Sequence, residues 1–195
     1  MFNYLEMLAK ALKEEKIIFL PTETVFGLAS IAGSPKSYQS LVELKRRPNE
    51  KQLPIVVNSY DQIQRICEVS DKQMFLIRNF MPGPLTVILK FKKDSPYRLE
   101  GQDTVAIRYS TDNLLNNLIR LVGSPLYLTS ANLNGNEPFT SALEAQKVFK
   151  DKVEFYIDGE TNFKKASTIV DLSGDEIKIV REGPISLKEI EDKLK

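Results

Sequence analysis

Apolar residues recur along this chain at two spacings, one typical of helices and one typical of strands. In residues 3–15, Leu5, Leu8 and Leu12 form one apolar stripe, and Asn3 with Glu6 matches a capping box. Such stripes predict helices over residues 3–15, 62–68, 71–80, 113–121 and 142–150, one from Ser34-Pro35 to Pro48, and one after Ser186. Short apolar, β-branched runs predict strands starting at residue 17 and over 53–57, 85–91, 104–109, 126–129, 154–157, 168–172 and 177–180.

The order of these elements predicts the fold class. Helices and strands mix, but they do not follow a strict βαβ repeat, and the last two strands are separated by Ser173-Gly174-Asp175 as in a hairpin. No internal repeat or long linker divides the sequence. We therefore expect one α/β domain over residues 1–195, built on a mixed twisted sheet flanked by helices.

Charge and composition exclude several classes of protein. The chain has 27 Lys and Arg against 26 Asp and Glu, a formal net charge of +1, so any electropositive site must be local. No apolar run approaches the roughly 20 residues of a membrane span, and the N-terminus has no signal-peptide pattern, so no membrane association is predicted. The single cysteine, Cys67, forms no internal disulfide. A reducing, cytoplasmic location is therefore predicted.

The absence of histidine restricts the chemistry further. With no histidine in 195 residues, Ser-His, Cys-His and His-metal mechanisms are excluded. Neither a P-loop nor a GxGxxG motif is present. We therefore predict neither a protein nucleophile nor a resident metal ion.

Residues 17–28, IIFLPTETVFGL, combine a buried strand with a tight loop. In an extended segment Thr22 and Thr24 point to the same side, and Glu23 points to the other. Two small hydroxyls at a strand end are suited to ligand binding, since open α/β sheets bind ligands there. The alternative is an ordinary strand end whose threonines stabilise a turn.

Several basic residues interrupt the apolar pattern in the same way. Lys45 continues the inner stripe of its helix, Arg108 is in phase with the inner face of its strand, and Arg181 likewise. Arg47 follows before a proline that favours an extended backbone. Three of them have an ordinary explanation, as a helix C-terminal cation for Lys45 and as paired edge-strand arginines for Arg108 and Arg181. Together they favour a pocket for a polyanion, because buried cations need anionic partners.

Two serines and an asparagine extend this set. Ser130 is in phase with Leu128, Ser167 begins a strand, and Asn132 follows in a loop. Nothing near them in sequence would activate a serine nucleophile, so we interpret the hydroxyls as hydrogen-bond donors to phosphate or carboxylate. The alternative is that all three are turn residues.

Seven segments, in order and spanning nearly the whole chain, resemble the YrdC-like family of threonylcarbamoyl-AMP synthases. They are PTETVFGL (21–28), KRRPNEKQLPIVV (45–57), PGPLTVIL (82–89), DTVAIR (103–108), TSANLNG (129–135), STIVDLSG (167–174) and IVREG (179–183). The resemblance implies an α/β fold with a deep concave cavity. It also implies a reaction that converts L-threonine, bicarbonate and ATP, with Mg²⁺ assisting, into threonylcarbamoyl-AMP and pyrophosphate for tRNA modification.

The resemblance also assigns roles to individual residues. Threonine-binding residues would be Thr24, Arg108, Ser167 and the Leu128 backbone, and ATP-binding residues would be Lys45, Arg47, Lys51, Thr104, Ser130, Asn132 and Arg181. Further implications are hand-over of the product to a tRNA threonylcarbamoyl transferase and a weak contact with tRNA. The sequence departs from the family pattern at Phe26, Val56, Met81 and Pro138.

Two alternatives remain open at this stage. One is a carbamoyl-adenylating relative of the same fold, which usually forms part of a much larger chain. The other is a non-catalytic RNA-binding module, against which the near-zero net charge counts.

Overall fold

The computed structural model describes residues 4–47, 52–174 and 176–194. Its helices are α1 (Tyr4–Lys13), α2 (Pro35–Lys45), α3 (Tyr60–Ile66), α4 (Asp71–Phe80), α5 (Asn113–Val122), α6 (Ala142–Phe149) and α7 (Leu187–Leu194). Its strands are β1 (Ile18–Leu20), β2 (Gly27–Ile31), β3 (Ile55–Val57), β4 (Leu85–Lys90), β5 (Thr104–Tyr109), β6 (Leu126–Ser130), β7 (Phe155–Tyr156), β8 (Thr168–Asp171) and β9 (Lys178–Arg181). The mixture of both element types confirms the predicted α/β class.

The strands form one mixed sheet in the order β7-β1-β2-β6-β3-β5-β4-β8-β9. Three neighbouring pairs are parallel (β1 with β7, β3 with β5, β4 with β8), and the other five are antiparallel. The predicted hairpin is confirmed, because β8 and β9 pair antiparallel. Most neighbours in the sheet are distant in sequence, so each part of its surface combines residues from several regions of the chain.

Each face of the sheet has its own hydrophobic core. Helices α1 and α5 pack on one face, where Leu8, Leu12 and Leu118 meet sheet residues including Ile18 and Leu126. The larger core lies on the other face, beneath α2, α3, α4, α6 and α7. Because side chains alternate along a strand, buried Leu85, Val87 and Leu89 of β4 join the larger core, and Thr86 faces the side of α1 and α5.

Local sequence signals determine several helix boundaries. Ser34 caps α2 by accepting a hydrogen bond from the Ser37 amide, and Pro35 occupies the first turn, as predicted. Helix α2 ends at Lys45, with Arg46 in the left-handed conformation. Pro48, the predicted terminator, lies outside the described residues, as do Asn3 of the predicted first cap and Asp175 of the hairpin turn.

One strand was missed by the sequence pattern. Residues 27–31 form β2, which pairs with β1 and β6 and is buried along most of its length. Its sequence, GLASI, is rich in small residues of weak β preference and lacks the alternation of a half-buried strand. Burial between two neighbours overrides this preference. At Gly27 an added Cβ would lie 2.7 Å from Cδ1 of Leu128, so a larger residue there would have to displace that side chain.

No helix among the described residues is long and apolar enough to span a membrane.

Candidate active site

A cavity of about 130 Å³ opens on the face of the sheet that carries α1 and α5. Its floor comes from strands β3, β5, β4 and β8, and its walls come from the β1–β2 loop, β6 and β9. The lining residues are Thr22, Thr24, Val25, Phe26, Gly27, Arg47, Pro54, Val56, Thr86, Arg108, Leu128, Thr129, Ser130, Ala166, Ser167, Ile169 and Arg181. Of the predicted site residues, the cavity thus brings together Thr24, Arg47, Arg108, Leu128, Ser130, Ser167 and Arg181.

Arg108 is the most deeply placed cation of the cavity. Only 7% of its surface is exposed, and strand β5 is an interior strand of the sheet. Its Nη1 donates to Thr24 Oγ1 at 2.9 Å, and its Nη2 lies 2.8 Å from Glu23 Oε1. Its Nε has no hydrogen-bond partner among the described residues. The guanidinium is therefore paired on one side and keeps an unused donor for a ligand.

Glu23 contradicts the expectation that it points away from Thr24. Both residues contact Arg108, because residues 23–25 form a bend and not an extended segment. The Glu23 carboxylate also accepts hydrogen bonds from Ser110 Oγ (2.6 Å) and the Thr111 amide (3.2 Å). These contacts hold Arg108 and the turn after β5 against the β1–β2 loop.

The expected pairing of Thr22 and Thr24 is confirmed. Their hydroxyl oxygens lie 3.0 Å apart and both residues are buried. Thr22 Oγ1 donates to the Val25 carbonyl at 2.7 Å and accepts from the Thr24 amide at 3.2 Å. These hydrogen bonds confirm that the threonines stabilise a turn, and both residues also line the cavity, so ligand binding by their hydroxyls stays a prediction.

On the opposite wall, Arg181 and Ser167 are joined by hydrogen bonds. Arg181 Nε and Nη2 donate to the Ser167 carbonyl at 3.0 and 2.8 Å. Ser167 Oγ lies 2.8 Å from Thr86 Oγ1, and both hydroxyls are buried. Gly183 approaches this segment so closely that an added Cβ would lie 2.3 Å from the Ala166 carbonyl oxygen. Glycine at that position lets β9 bring Arg181 to the cavity.

At the cavity mouth, the charge of Arg181 acts on Arg47. Partial burial lowers the pKa of Arg47, and the charge of Arg181 lowers it further, while Tyr38 raises it. Arg181 is more exposed, but its partial desolvation lowers its pKa too, and the charge of Arg108 adds to that effect. Positive charge is therefore concentrated around one cavity, which an anionic ligand would stabilise.

Lys45 is buried as predicted, but it lies behind the cavity wall and is not among the lining residues. Its Nζ donates to the Ser130 carbonyl, to the Asn132 carbonyl at 3.0 Å and to Asn132 Oδ1 at 2.6 Å. These acceptors favour the ammonium, whereas burial, and secondarily the charge of Arg47, lowers the pKa of Lys45 to about 7. Through these hydrogen bonds, Lys45 holds the loop that follows β6.

Three other predicted residues are placed differently. Thr104, at the start of β5 and half-buried, is not among the lining residues. Asn132 accepts from Ser130 Oγ at 2.8 Å and from Lys45, so it supports the wall from behind. Lys51 lies outside the described residues. The ATP-binding roles of Thr104, Asn132 and Lys51 stay predictions.

Comparison of the sequence with models of known protein families shows which family this chain belongs to. Residues 10–183 match the Sua5/YciO/YrdC family model, which carries the description "Telomere recombination". The chain belongs to the Sua5/YciO/YrdC family.

Named relatives of this family resemble most of the chain. The threonylcarbamoyl-AMP synthase of Photorhabdus laumondii is 38% identical over 167 residues, which cover 82% of this chain and 86% of the relative. That of Pyrococcus abyssi is 34% identical over 183 residues, covering 92% of this chain but only 54% of its own length.

Solved structures of the family confirm the fold. Pyrococcus abyssi Sua5 complexed with L-threonine aligns with a TM-score of 0.90 at 33% identity, over 97% of this chain and 56% of the other. Escherichia coli YciO aligns with a TM-score of 0.87 at 22% identity, over 95% and 92% of the two chains, a likeness of fold alone.

Sequence reasoning missed two buried residues of this Sua5/YciO/YrdC site. The orientation predicted for Glu23 is wrong because residues 23–25 form a bend where an extended segment is expected. Thr86 lies in the family-like segment 82–89, but the sequence assigns it no role. The alternation in β4 could have identified it, because a threonine there stands on the face opposite to Leu85 and Val87.

Proposed function

We propose that this protein is an L-threonylcarbamoyladenylate synthase, which makes threonylcarbamoyl-AMP and pyrophosphate from L-threonine, bicarbonate and ATP. The product serves the threonylcarbamoylation of tRNA adenosine next to the anticodon. The observation that carries the proposal is the convergence of Arg47, Arg108 and Arg181 with buried hydroxyls on one cavity. The names of the relatives that match most of the chain support the same activity.

The floor of the cavity suits an amino acid. Arg108 supplies an unpartnered Nε, and Thr24 and Ser167 supply hydroxyls from opposite walls. A carboxylate would satisfy the Arg108 donor by a charge-assisted hydrogen bond. Apolar Val56 and Leu128 line the same space and are available to contact a methyl group. L-threonine is a small molecule that has a carboxylate for Arg108, polar groups for the two hydroxyls and a methyl group for the apolar residues.

The mouth of the cavity suits a triphosphate. A volume of about 130 Å³ is well below the roughly 300 Å³ at which pockets for larger ligands begin, so the nucleotide would extend across the mouth. Arg47 and Arg181 are located there, and phosphate would relieve the repulsion that the charge of Arg181 exerts on Arg47. We therefore assign the phosphates to the mouth and the amino acid to the floor.

The reaction needs no nucleophile from the protein. The threonine amine combines with bicarbonate to give a carbamate and water. A carbamate oxygen then attacks the α-phosphorus of ATP, the bond to the β-phosphate bridging oxygen breaks, and pyrophosphate leaves. The residues act by orienting both substrates and neutralising charge.

Magnesium enters this proposal with ATP, as part of the substrate. Among the described residues no group of three or more His, Cys, Asp or Glu is arranged to hold a metal ion. The polar lining consists instead of hydroxyls and arginines. These groups bind phosphate oxygens and leave the cation to the triphosphate.

The direct test is pyrophosphate release with ATP, magnesium and bicarbonate, in the presence and absence of L-threonine. We expect release that requires threonine and falls when L-serine replaces it. Release with carbamoyl phosphate in place of threonine and bicarbonate would favour the carbamoyl-adenylating alternative. Strongly salt-dependent RNA binding without threonine-dependent release would favour the RNA-binding alternative.

The pKa of Lys45 predicts that ATP binding depends on pH. Phosphate charge favours the ammonium and raises the pKa above its value of about 7 in the free protein. Binding therefore takes up a proton, and ATP affinity falls as pH rises through this window, by at most about tenfold per pH unit. Isothermal titration of Mg·ATP in two buffers of different ionisation enthalpy measures this uptake.

Lys45→Met provides the matched control for that titration. It removes the titrating group and keeps the length of the side chain, so the pH dependence that remains belongs to ATP and other groups. Equal proton uptake by wild type and Lys45→Met would contradict the prediction that Lys45 takes up the proton when ATP binds.

A further inference from the structure

The cavity floor contains a row of side chains that crosses four adjacent strands. Val56 on β3 pairs with Arg108 on β5, and Thr86 on β4 pairs with Ile169 on β8. Because Val87 pairs with Ile107 in the antiparallel β4–β5 ladder, the next positions, Thr86 and Arg108, lie opposite each other. All four side chains line the cavity. Thr86 therefore stands between Arg108 and the strand that begins after Ser167.

Thr86 is a buried polar residue whose hydroxyl packing alone does not explain. Only 3% of its surface is exposed, yet it lines the cavity. Its hydroxyl pairs with Ser167 Oγ at 2.8 Å. Valine, the isosteric apolar residue, would fill the same space in a strand without needing a partner, so the hydroxyl calls for an explanation beyond packing.

Counting hydrogens shows what the pair offers to a ligand. Two hydroxyls carry two protons, and the hydrogen bond between them uses one. Arg181 Nη2 donates to Ser167 Oγ at 3.4 Å. This contact uses a lone pair of the serine oxygen and leaves the hydroxyl protons available. One donor therefore remains available, on the same floor as the unpartnered Nε of Arg108.

We infer that Thr86 is a substrate-binding residue, which with Ser167 directs one hydroxyl to the carboxylate of the amino-acid substrate while Arg108 Nε binds the other oxygen. This inference rests on the proposed function, and it adds a residue to which the sequence assigned no role. It divides the site into a carboxylate floor made by Arg108, Thr86 and Ser167, and a phosphate mouth made by Arg47 and Arg181.

The experiment compares wild type, Thr86→Val and Thr86→Ser by steady-state pyrophosphate release. We expect Thr86→Val to raise KM for threonine about tenfold or more, the effect of losing a hydrogen bond to a charged group. KM for ATP should stay within about twofold, and Thr86→Ser, which keeps the hydroxyl, should resemble wild type. In Ser167→Ala and the double variant, the two substitutions should not add, because they disrupt the same pair.

Binding of L-threonine by calorimetry, without ATP, provides a readout that does not require turnover. If wild type binds threonine but releases no pyrophosphate, the proposed reaction is wrong, and the affinity of Thr86→Val still decides the role of Thr86. A threonine affinity of Thr86→Val equal to wild type overturns the inference, as does an equal rise in KM for both substrates, which indicates a purely structural effect. Absence of threonine binding in wild type overturns both proposals.

Discussion

Arg108→Met is expected to lower the free energy of unfolding by roughly 3–5 kcal/mol and to abolish threonine-dependent pyrophosphate release. The substitution leaves the carboxylate of Glu23, a residue of which only 5% is exposed, without its ion-pair partner. Ser110 and Thr111 still donate to it, but they carry no compensating charge. Urea unfolding and the pyrophosphate assay measure the two effects separately.

The matched control is the double variant Glu23→Gln/Arg108→Met. Removing both charges eliminates the buried unpaired carboxylate, so most of the lost stability should return. Activity should not return, because the guanidinium proposed to bind the substrate carboxylate is still missing. An unfolding free energy for Arg108→Met within about 1 kcal/mol of wild type would show that the ion pair does not stabilise the fold.

Arg181→Ala is expected to reduce kcat/KM for ATP by about two to three orders of magnitude, or roughly 3–4 kcal/mol of transition-state stabilisation. The side chain is exposed and lies on the outermost strand, so the fold should remain intact. Pyrophosphate release at varied ATP, together with thermal unfolding, tests both statements.

Two variants make this second prediction more specific. Arg181→Lys keeps the charge but cannot donate to the Ser167 carbonyl through two nitrogens, so partial activity is expected. Arg47→Ala should show a loss similar to that of Arg181→Ala. Near-wild-type turnover in both alanine variants would remove the basis for a triphosphate at the cavity mouth.

Much of the fold was predictable because its elements carry local signals. Strand β5 begins at Thr104 and ends at Tyr109 as predicted, and α2 has the Ser34-Pro35 start that its sequence indicates. The helix predicted after Ser186 is present as α7, and reciprocal hydrogen bonds between Ser186 and Glu189 cap its start. Strand β2 was not predictable in this way, because its burial depends on neighbours from distant parts of the chain.

The site was predictable as far as periodicity determines which way a side chain points. Arg108 and Lys45 follow the spacing of the apolar residues in their strand and helix, which predicts that they face the interior, and both are buried. Phase could not identify their partners. Lys45 donates to a loop 85–87 positions away, and Arg108 pairs with a carboxylate that an extended strand would have directed elsewhere. Such partners depend on sheet order and on a bend, which a single sequence does not specify.

The lining of the cavity begins at Thr22 and ends at Arg181, and the strand that carries Arg181 lies at one margin of the sheet. A nascent chain still attached to the ribosome through its last strand would have a floor without the arginine that completes the mouth. Sheets with such distant neighbours also assemble slowly. Nucleotide capture is therefore expected only after translation of that strand, so an incomplete polypeptide would not sequester ATP while it is being made.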